Sequence, residues 1–397
     1  MSRYLFAWEL GGNLGHLTRL VPVSRLLVKQ GHEVLFASRE LVEAGDTLRA
    51  NGLRYVAAPA LAFMRKPSDP IISYPDLLAA HGFADARRLG GALGAWLGLL
   101  EVYKPDAVLL DHAPTALMAA RVARLPHLVL GTGFTVPPAV APMPSMRPWK
   151  PDAPEKLRAA EDRVLASINQ VARHFGAQPF AKLHELFDPR STAICAFPEL
   201  DHYGARKDAR YIGPTFVVDG GQSLSWRGRG PKVFAYMRMP AVLDSLIKEL
   251  SGLKADGILY APGASPAQQK AAKEGGLQLT TQPARMDKLL KDAEVIVSAA
   301  GHGLLSAGLL AGIPALLVPS NVEQLLASRA AKRLGAALFL LPAHVNQKLG
   351  DALDKLLGRE PQLRAAARSF SGRYSDYSQS KSQQTLLGLA LGLTGKR

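Results

Sequence analysis

Residues 295–324, VIVSAAGHGLLSAGLLAGIPALLVPSNVEQ, constrain the fold more than any other stretch. They open on Val295-Ile296-Val297, a short β-branched run that reads as a buried parallel strand. A turn of small residues, 298–303, follows, with glycine at 301 and 303. Residues 304–311 are apolar and of helix length; Gly312 stops them and Pro314 follows, the order expected past a helix C-terminus. A second strand, 315–318, halts at Pro319, and Glu323 and Gln324 come next. The outline is strand, tight turn, helix, strand. Backbone N–H groups at such a turn, backed by a helix N-terminus, form an anion site suited to a diphosphate. The candidate residues are Gly301, His302, Gly303, Leu304, Leu305 and Ser306. Glu323 and Gln324 can exchange hydrogen bonds with sugar hydroxyls. A βαβ unit of any α/β protein shares the bare outline; the spacing to Gly-Ile-Pro and Glu-Gln is more specific.

That spacing resembles the donor-binding signature of the UDP-glycosyltransferases, family 1 enzymes of the GT-B type that use nucleotide sugars. Their pattern is a His-Gly-Gly-like turn, a helix with a Glu-Ala pair, Gly-Val/Ile-Pro, a hydrophobic strand and Asp/Glu-Gln. The opening of the chain carries the second part of the resemblance. Residues 4–8 read as a strand, 9–15 (ELGGNLG) as a glycine-rich loop, 16–30 as a helix capped by Gly31, and 32–37 as the next strand. Gly12-Asn13-Leu14-Gly15-His16 and Gly31-His32-Glu33-Val34 match phrases of the family's first βαβ unit. The glycines do not follow the dinucleotide spacing, so NAD or FAD binding is a weak reading.

His16 falls where the loop turns into the helix, at the carboxyl edge of a parallel sheet, which is where open α/β sheets place ligands. A neutral imidazole there can take the proton of an attacking hydroxyl; the alternative is a histidine that caps the helix or lines the cleft. Residues 107–110 form another strand, and Asp111 stands at its end in the same half-sheet. Its carboxylate can orient the imidazole and stabilise its charged form, or it can cap the helix that begins near Pro114. The resemblance implies the first role, and it places Asp106 at the strand's start.

Acceptor-facing elements are expected in the first half. Residues 63–74 read as loop, and 77–103 as largely helical despite Gly90, Gly91, Gly94 and Gly98. Residues 135–154 hold seven prolines together with Met143, Met146 and Trp149, followed by an amphipathic helix over 154–175. A stiff loop with exposed Met and Trp suits an apolar acceptor, or else packs on that helix. The acceptor candidates are Gly12, Asn13, Phe134, Met143 and Trp149.

After a strand-like run at 192–197, the shift to Gly, Pro and charge through 214–231 reads as a linker. Strands at 232–237, 257–261 and 277–281 alternate with helices at 241–253 and 266–273. Arg238 ends the first of these strands and can bind a phosphate. Residues 282–287 match the family's loop for the nucleotide base, with Gln282, Pro283 and Met286 as candidates, although the usual Pro-Gln reads Pro283-Ala284. Helices over 361–374 and 380–393 close the chain, as the family's terminal helices cross back to the first half. The domains expected are therefore 1–213 (acceptor), 214–231 (linker), 232–374 (donor) and 375–397 (returning helix). The fold class is α/β, with two doubly wound Rossmann-like domains facing a central cleft.

Composition narrows the remaining classes. With 397 residues, 48% of them hydrophobic, two or three domains can each bury a core. A single cysteine, Cys195, allows no intrachain disulfide and fits a reducing compartment. No signal-peptide pattern opens the chain, no apolar run reaches 18 residues, and cytoplasm is the expected location. The histidines form no cluster with metal-ligand spacing, so no metal or other cofactor is expected. The net charge of +15 points to acidic ligands. No nucleic-acid module accompanies it, whereas nucleotide sugars fit. Residues 359–397, with seven Lys/Arg against two acids, suggest either a solvated face or peripheral contact with an anionic membrane.

Three positions depart from the family pattern. Its pyrophosphate histidine falls at Ala299 beside His302, its ribose-holding Glu at Ala307 near Ser306, and its Asp-Gln is Glu323-Gln324. The expected function is inverting transfer of a sugar from a UDP- or dTDP-linked donor to a hydroxyl of a small, apolar or lipid-like acceptor, with His16 as base and Asp111 orienting it. The alternatives are a sugar-nucleotide epimerase and a non-catalytic binding protein of the same fold.

Overall fold

The computed structural model describes residues 1–12, 15–62, 71–150, 152–216 and 220–395. The chain divides into two compact units. Unit 1 comprises Met1–Pro198, Ala205–Thr215 and Gln379–Arg397; unit 2 comprises Glu199–Gly204 and Phe216–Ser378.

Unit 1 begins with β1 (Arg3–Trp8), α1 (Gly15–Lys29), β2 (Glu33–Ser38), α2 (Glu43–Ala50) and β3 (Arg54–Ala57). It continues through α3 (Tyr74–Ala80), α4 (Ala86–Tyr103), β4 (Ala107–Asp111), α5 (Pro114–Val122), β5 (His127–Gly131), α6 (Pro154–His174) and β6 (Thr192–Ile194). The six strands are all parallel, in the order β3-β2-β1-β4-β5-β6. Strands buried on both faces need unbroken apolar runs, and β1 and β4 have them: every residue from Tyr4 to Trp8 and from Ala107 to Asp111 is buried. The register places Trp8 opposite Asp111. The order reverses between β1 and β4, so the loops after these two central strands open at the sheet's carboxyl edge, where the chain leaves in different directions.

Unit 2 repeats the plan with β7 (Lys232–Tyr236), α7 (Pro240–Gly252), β8 (Asp256–Tyr260), α8 (Pro266–Glu274), β9 (Gln278–Thr280), α9 (Met286–Asp292) and β10 (Val295–Ser298). It ends with α10 (His302–Leu310), β11 (Ala315–Leu317), α11 (Val322–Arg333), β12 (Ala337–Phe339), α12 (Val345–Asp354) and α13 (Pro361–Arg373). Its strands are also parallel, in the order β12-β11-β10-β7-β8-β9, with the reversal between β10 and β7. Helix α10 is buried on most sides, Leu304 to Leu309 lying inside. Gly312, in the left-handed region at φ 72°, turns the chain out of it towards β11.

The chain then returns to unit 1. Helix α14 (Gln379–Leu393) packs on α1, burying Leu386, Leu387 and Ala390 among Leu17, Leu20 and Val21. Burial of each of those leucines stabilises the unit by about 1.5–3 kcal/mol.

Residues 220–230 of the expected linker are bonded to unit 2: the Arg227 and Gly228 amides donate to the buried Asp256 carboxylate at 2.8 Å each, and the Gln222 amide donates to the Pro283 carbonyl at 2.7 Å. Residues 217–219 of that span lie outside the described residues. The proline-rich loop before α6 does not expose its methionines. Met143 and Met146 are fully buried, and the Met143 amide donates to the buried Glu161 carboxylate at 2.6 Å.

Candidate active site

The carboxyl edge of the unit 1 sheet holds a buried cluster built on Asp111. This residue ends β4 with its carboxyl fully buried. One oxygen lies 3.0 Å from His16 Nδ1; the other accepts a hydrogen bond from the Arg19 guanidinium. His16 and Arg19 stand three residues apart on α1, which puts them on one face of the helix. Burial pushes the Asp111 carboxyl up, but the Arg19 cation and then His16 pull it down to a net value below its ordinary one. Asp111 is thus a carboxylate and can only accept. It follows that His16 Nδ1 carries the proton of that contact.

Trp8 and Gly11 set the orientation of that ring. The Trp8 indole stacks on the imidazole with centroids 5.0 Å apart, and its Nε1 donates to the Leu10 carbonyl at 2.7 Å. Gly11, at φ 85°, faces Nε2. The Leu10 amide donates to the His112 carbonyl at 2.9 Å, and the Arg39 guanidinium donates to the Gly11 carbonyl at 2.9 Å, so the loop after β1 is tied on both sides. His112, in the left-handed region at φ 49°, stacks 6.0 Å from His16; burial and then the neighbouring His16 hold it well below its usual range, so it is neutral.

Asp111 does not cap α5. That task falls to Glu9, fully buried at the end of β1, whose carboxyl accepts the Thr115 and Ala116 amides at the helix start. Asp106 is at the opposite end of β4, accepting the Arg3 amide at 2.7 Å. Sequence reading missed Trp8, Glu9, Gly11, Arg19 and His112. For Arg19 a signal existed, its three-residue spacing from His16 on the apolar face of an amphipathic helix.

Among the acceptor candidates, Gly12 and Trp149 are exposed, whereas Phe134 and Met143 are buried. The expectation of an exposed Met143 therefore fails, because the loop packs inward. Asn13 lies outside the described residues.

In unit 2 the turn after β10 has Ala300 in the left-handed region at φ 62° and leads through Gly301 into α10. Gly301 supplies no side-chain cap to the start of α10. The Leu305 amide is already bonded to the Gly301 carbonyl at 3.1 Å, and the Leu305 and Ser306 side chains are buried. The His302 ring stacks on His202, centroids 6.2 Å apart.

Arg238 is exposed, two residues past the end of β7. Gln282 and Pro283 are exposed in the loop after β9, and Met286 opens α9 partly buried. Glu323 lies in the first turn of α11, and the Gln324 side-chain oxygen accepts both the amide and the hydroxyl of Ser320 at 2.8 Å. That oxygen is committed to the loop. Among the described residues no three His, Cys, Asp or Glu side chains converge as a metal-ligand set. No described helix is long and apolar enough to cross a membrane.

No family model matches the chain. A PGL/p-HBAD biosynthesis rhamnosyltransferase of Mycobacterium tuberculosis is 26% identical over 308 residues, covering 72% of this chain and 68% of that protein. A PGL/p-HBAD biosynthesis glycosyltransferase of the same species is 25% identical over 398 residues, covering 93% and 88%. Among solved structures, the calicheamicin glycosyltransferase CalG4 superposes with a TM-score of 0.73 at 16% identity, covering 98% of each chain. The glycosyltransferase VinC, in complex with DTDP, gives 0.68 at 18% identity, covering 98% of this chain and 99% of its own. The chain has the fold of these GT-B glycosyltransferases. The structural neighbours establish that fold, two parallel six-stranded Rossmann-like sheets with their helices, and the curated relatives the chain matches are glycosyltransferases.

Proposed function

We propose that the enzyme transfers a sugar, with inversion, from a UDP- or dTDP-linked donor to a hydroxyl of a small apolar or lipid-like acceptor. The observation that carries the reading is the His16–Asp111 contact, 3.0 Å, on a fully buried carboxylate. His16 Nε2 takes the acceptor's hydroxyl proton while the acceptor oxygen forms its bond to the anomeric carbon. The bond from that carbon to the diphosphate breaks, and the nucleoside diphosphate leaves with the electron pair. Asp111 holds the ring by its Nδ1–H and stabilises the imidazolium that results.

In this reading unit 2 holds the donor. The N-terminus of α10 faces the diphosphate and stabilises its developing charge, Arg238 adds a cation, the 282–286 loop receives the base, and Glu323 with the Gln324 amide holds the sugar. Charge stabilisation by amides and arginine makes transfer independent of added metal, which retention of rate in EDTA checks. The dTDP choice draws support from VinC, whose structure holds DTDP. The lipid-like acceptor and a deoxyhexose donor draw support from the relatives' assignment to PGL/p-HBAD biosynthesis, one of them as a rhamnosyltransferase. The lone Cys195, buried with its thiol pushed up to about 11, supports a structural role in a reducing cytoplasm.

A thermal-shift screen against UDP, dTDP, GDP and their sugars tests the donor half, since a true ligand raises the melting temperature by mass action. A selective rise with a pyrimidine diphosphate is expected; a flat response across the panel overturns the donor assignment. His16→Ala tests the base. Transfer should be abolished with donor binding nearly unchanged, and retained transfer removes His16 from the mechanism.

A further inference from the structure

We propose that Arg19 is a positioning residue that keeps His16 unprotonated near neutral pH by supplying the second counter-charge to Asp111. The inference rests on the reading of His16 as the base.

Asp111 is fully buried and its two oxygens are divided, one to His16 and one to Arg19. A buried carboxylate with a histidine as its sole partner would draw a proton onto that ring, because the resulting ion pair removes an uncompensated charge from a low-dielectric site. The His16–Asp111 pair would then rest as imidazolium and carboxylate, with no lone pair to offer a hydroxyl. The Arg19 guanidinium, 8% exposed, already neutralises the carboxylate. A proton gained by His16 would leave the trio with a net positive charge. Asp111 therefore orients the ring without charging it.

The surrounding groups agree in sign. His112, beside His16 on the turn after β4, is neutral. Arg39 reaches the Gly11 carbonyl, and His81 acts electrostatically on His112; both are basic groups, and neither attracts a further proton to the cluster. Cys195 on the β6 side is a protonated thiol. Glu9 is turned to the start of α5. Helix α14, packed on α1, carries Lys381 as its one charged residue. Asp111 is thus the carboxylate that meets His16, and Arg19 is its counter-ion.

The test is the pH dependence of kcat/KM together with the NMR titration of the His16 imidazole, assigned by its loss in His16→Ala. In Arg19→Met the acid limb of the rate profile and the His16 midpoint should both move up by about one pH unit, the size of effect expected of a charge within hydrogen-bond reach. Transfer at pH 6 then falls about tenfold further than at pH 9. Arg19→Lys, which keeps the cation, should leave both within a few tenths of a unit. A uniform loss at all pH values, with the midpoint unmoved, overturns the proposal in favour of a packing role. Should Arg19→Met not fold, Asp111→Asn is compared with Asp111→Asn/Arg19→Met, which carries no buried charge imbalance. The His16 midpoint should be higher in the double variant, and equal midpoints overturn the proposal. Retained transfer in His16→Ala would instead remove the base reading, while the NMR midpoints still report what Arg19 does to the ring.

Discussion

A Cβ built on Gly11 would lie 2.7 Å from His16 Nε2. The nitrogen proposed as the base is therefore approached across a residue with no side chain. Gly11 also sits at φ 85°, where an L side chain is strained. Gly11→Ala should lower kcat/KM at least a hundredfold and cost about 1–3 kcal/mol of stability. Steady-state kinetics with a urea titration checks both, and an active alanine variant would mean that Nε2 is reached from another side.

Asp111→Ala should destabilise the enzyme more than His16→Ala does. The first strands the Arg19 cation in a buried site, a loss of about 3–5 kcal/mol; the second leaves the Asp111–Arg19 pair intact. The pH dependence has a defined sign. The folded Asp111 carboxyl lies below its ordinary 3.8, so its contribution is present above that value and is lost as the pH falls through the lower, folded one. The stability gap between the wild type and Asp111→Asn should be flat from about pH 5 upwards and shrink on acidification. Urea midpoints measured across that range test it.

Glu9 behaves oppositely. Burial raises its carboxyl from 4.5 to about 7, with the Ala116 and Thr115 hydrogen bonds only partly opposing the shift. Between those values the unfolded chain ionises while the folded one holds its proton, so stability falls as the pH rises and levels off above about 7. Glu9→Gln removes the titration. Its melting temperature relative to the wild type should climb across that window, by an amount equivalent to about 3 kcal/mol at most. A pH-independent difference would show that Glu9 is ionised throughout.

Gly221 stands at φ 98°, and a Cβ there would meet the Pro283 carbonyl oxygen at 2.3 Å. Around it, the Gln222 amide donates to Pro283, the Arg285 amide donates to the Gln222 carbonyl at 2.9 Å, and the Thr280 hydroxyl donates to the Gln222 side chain at 3.0 Å. Gly221→Ala should therefore displace the 282–286 loop and weaken nucleotide binding about tenfold or more, with smaller effects on the acceptor KM. Isothermal titration with dTDP and UDP measures the change, and unaltered affinity would detach this loop from the base.

How far these features were legible depended on the kind of force behind them. Strands β1, β4 and β10 announce themselves because burial on both faces demands unbroken apolar runs, and Gly31 and Gly312 mark helix ends because few residues tolerate their backbone angles. His16 and Asp111 could be located because a loop-to-helix junction and a strand end fix where a side chain starts. Arg19 was overlooked because a basic residue on an amphipathic helix ordinarily faces water, and burial of its head depends on a carboxylate 92 positions away. The glycines of 220–230 looked like linker flexibility, although Gly221 marks close backbone approach. The methionines before α6 looked exposed, as loop residues mostly are. Prolines leave that loop few amides to satisfy, so it can be buried, and the Met143 amide finds Glu161.

Helix α14 joins the core around α1 with residues that come more than 350 positions later. During synthesis the first sheet therefore emerges without the helix that adds Leu386, Leu387 and Ala390 to its core, and a whole second sheet is made before that helix follows. Unit 2 has almost all its residues in one run. The half of the molecule translated first is thus the half that is completed last.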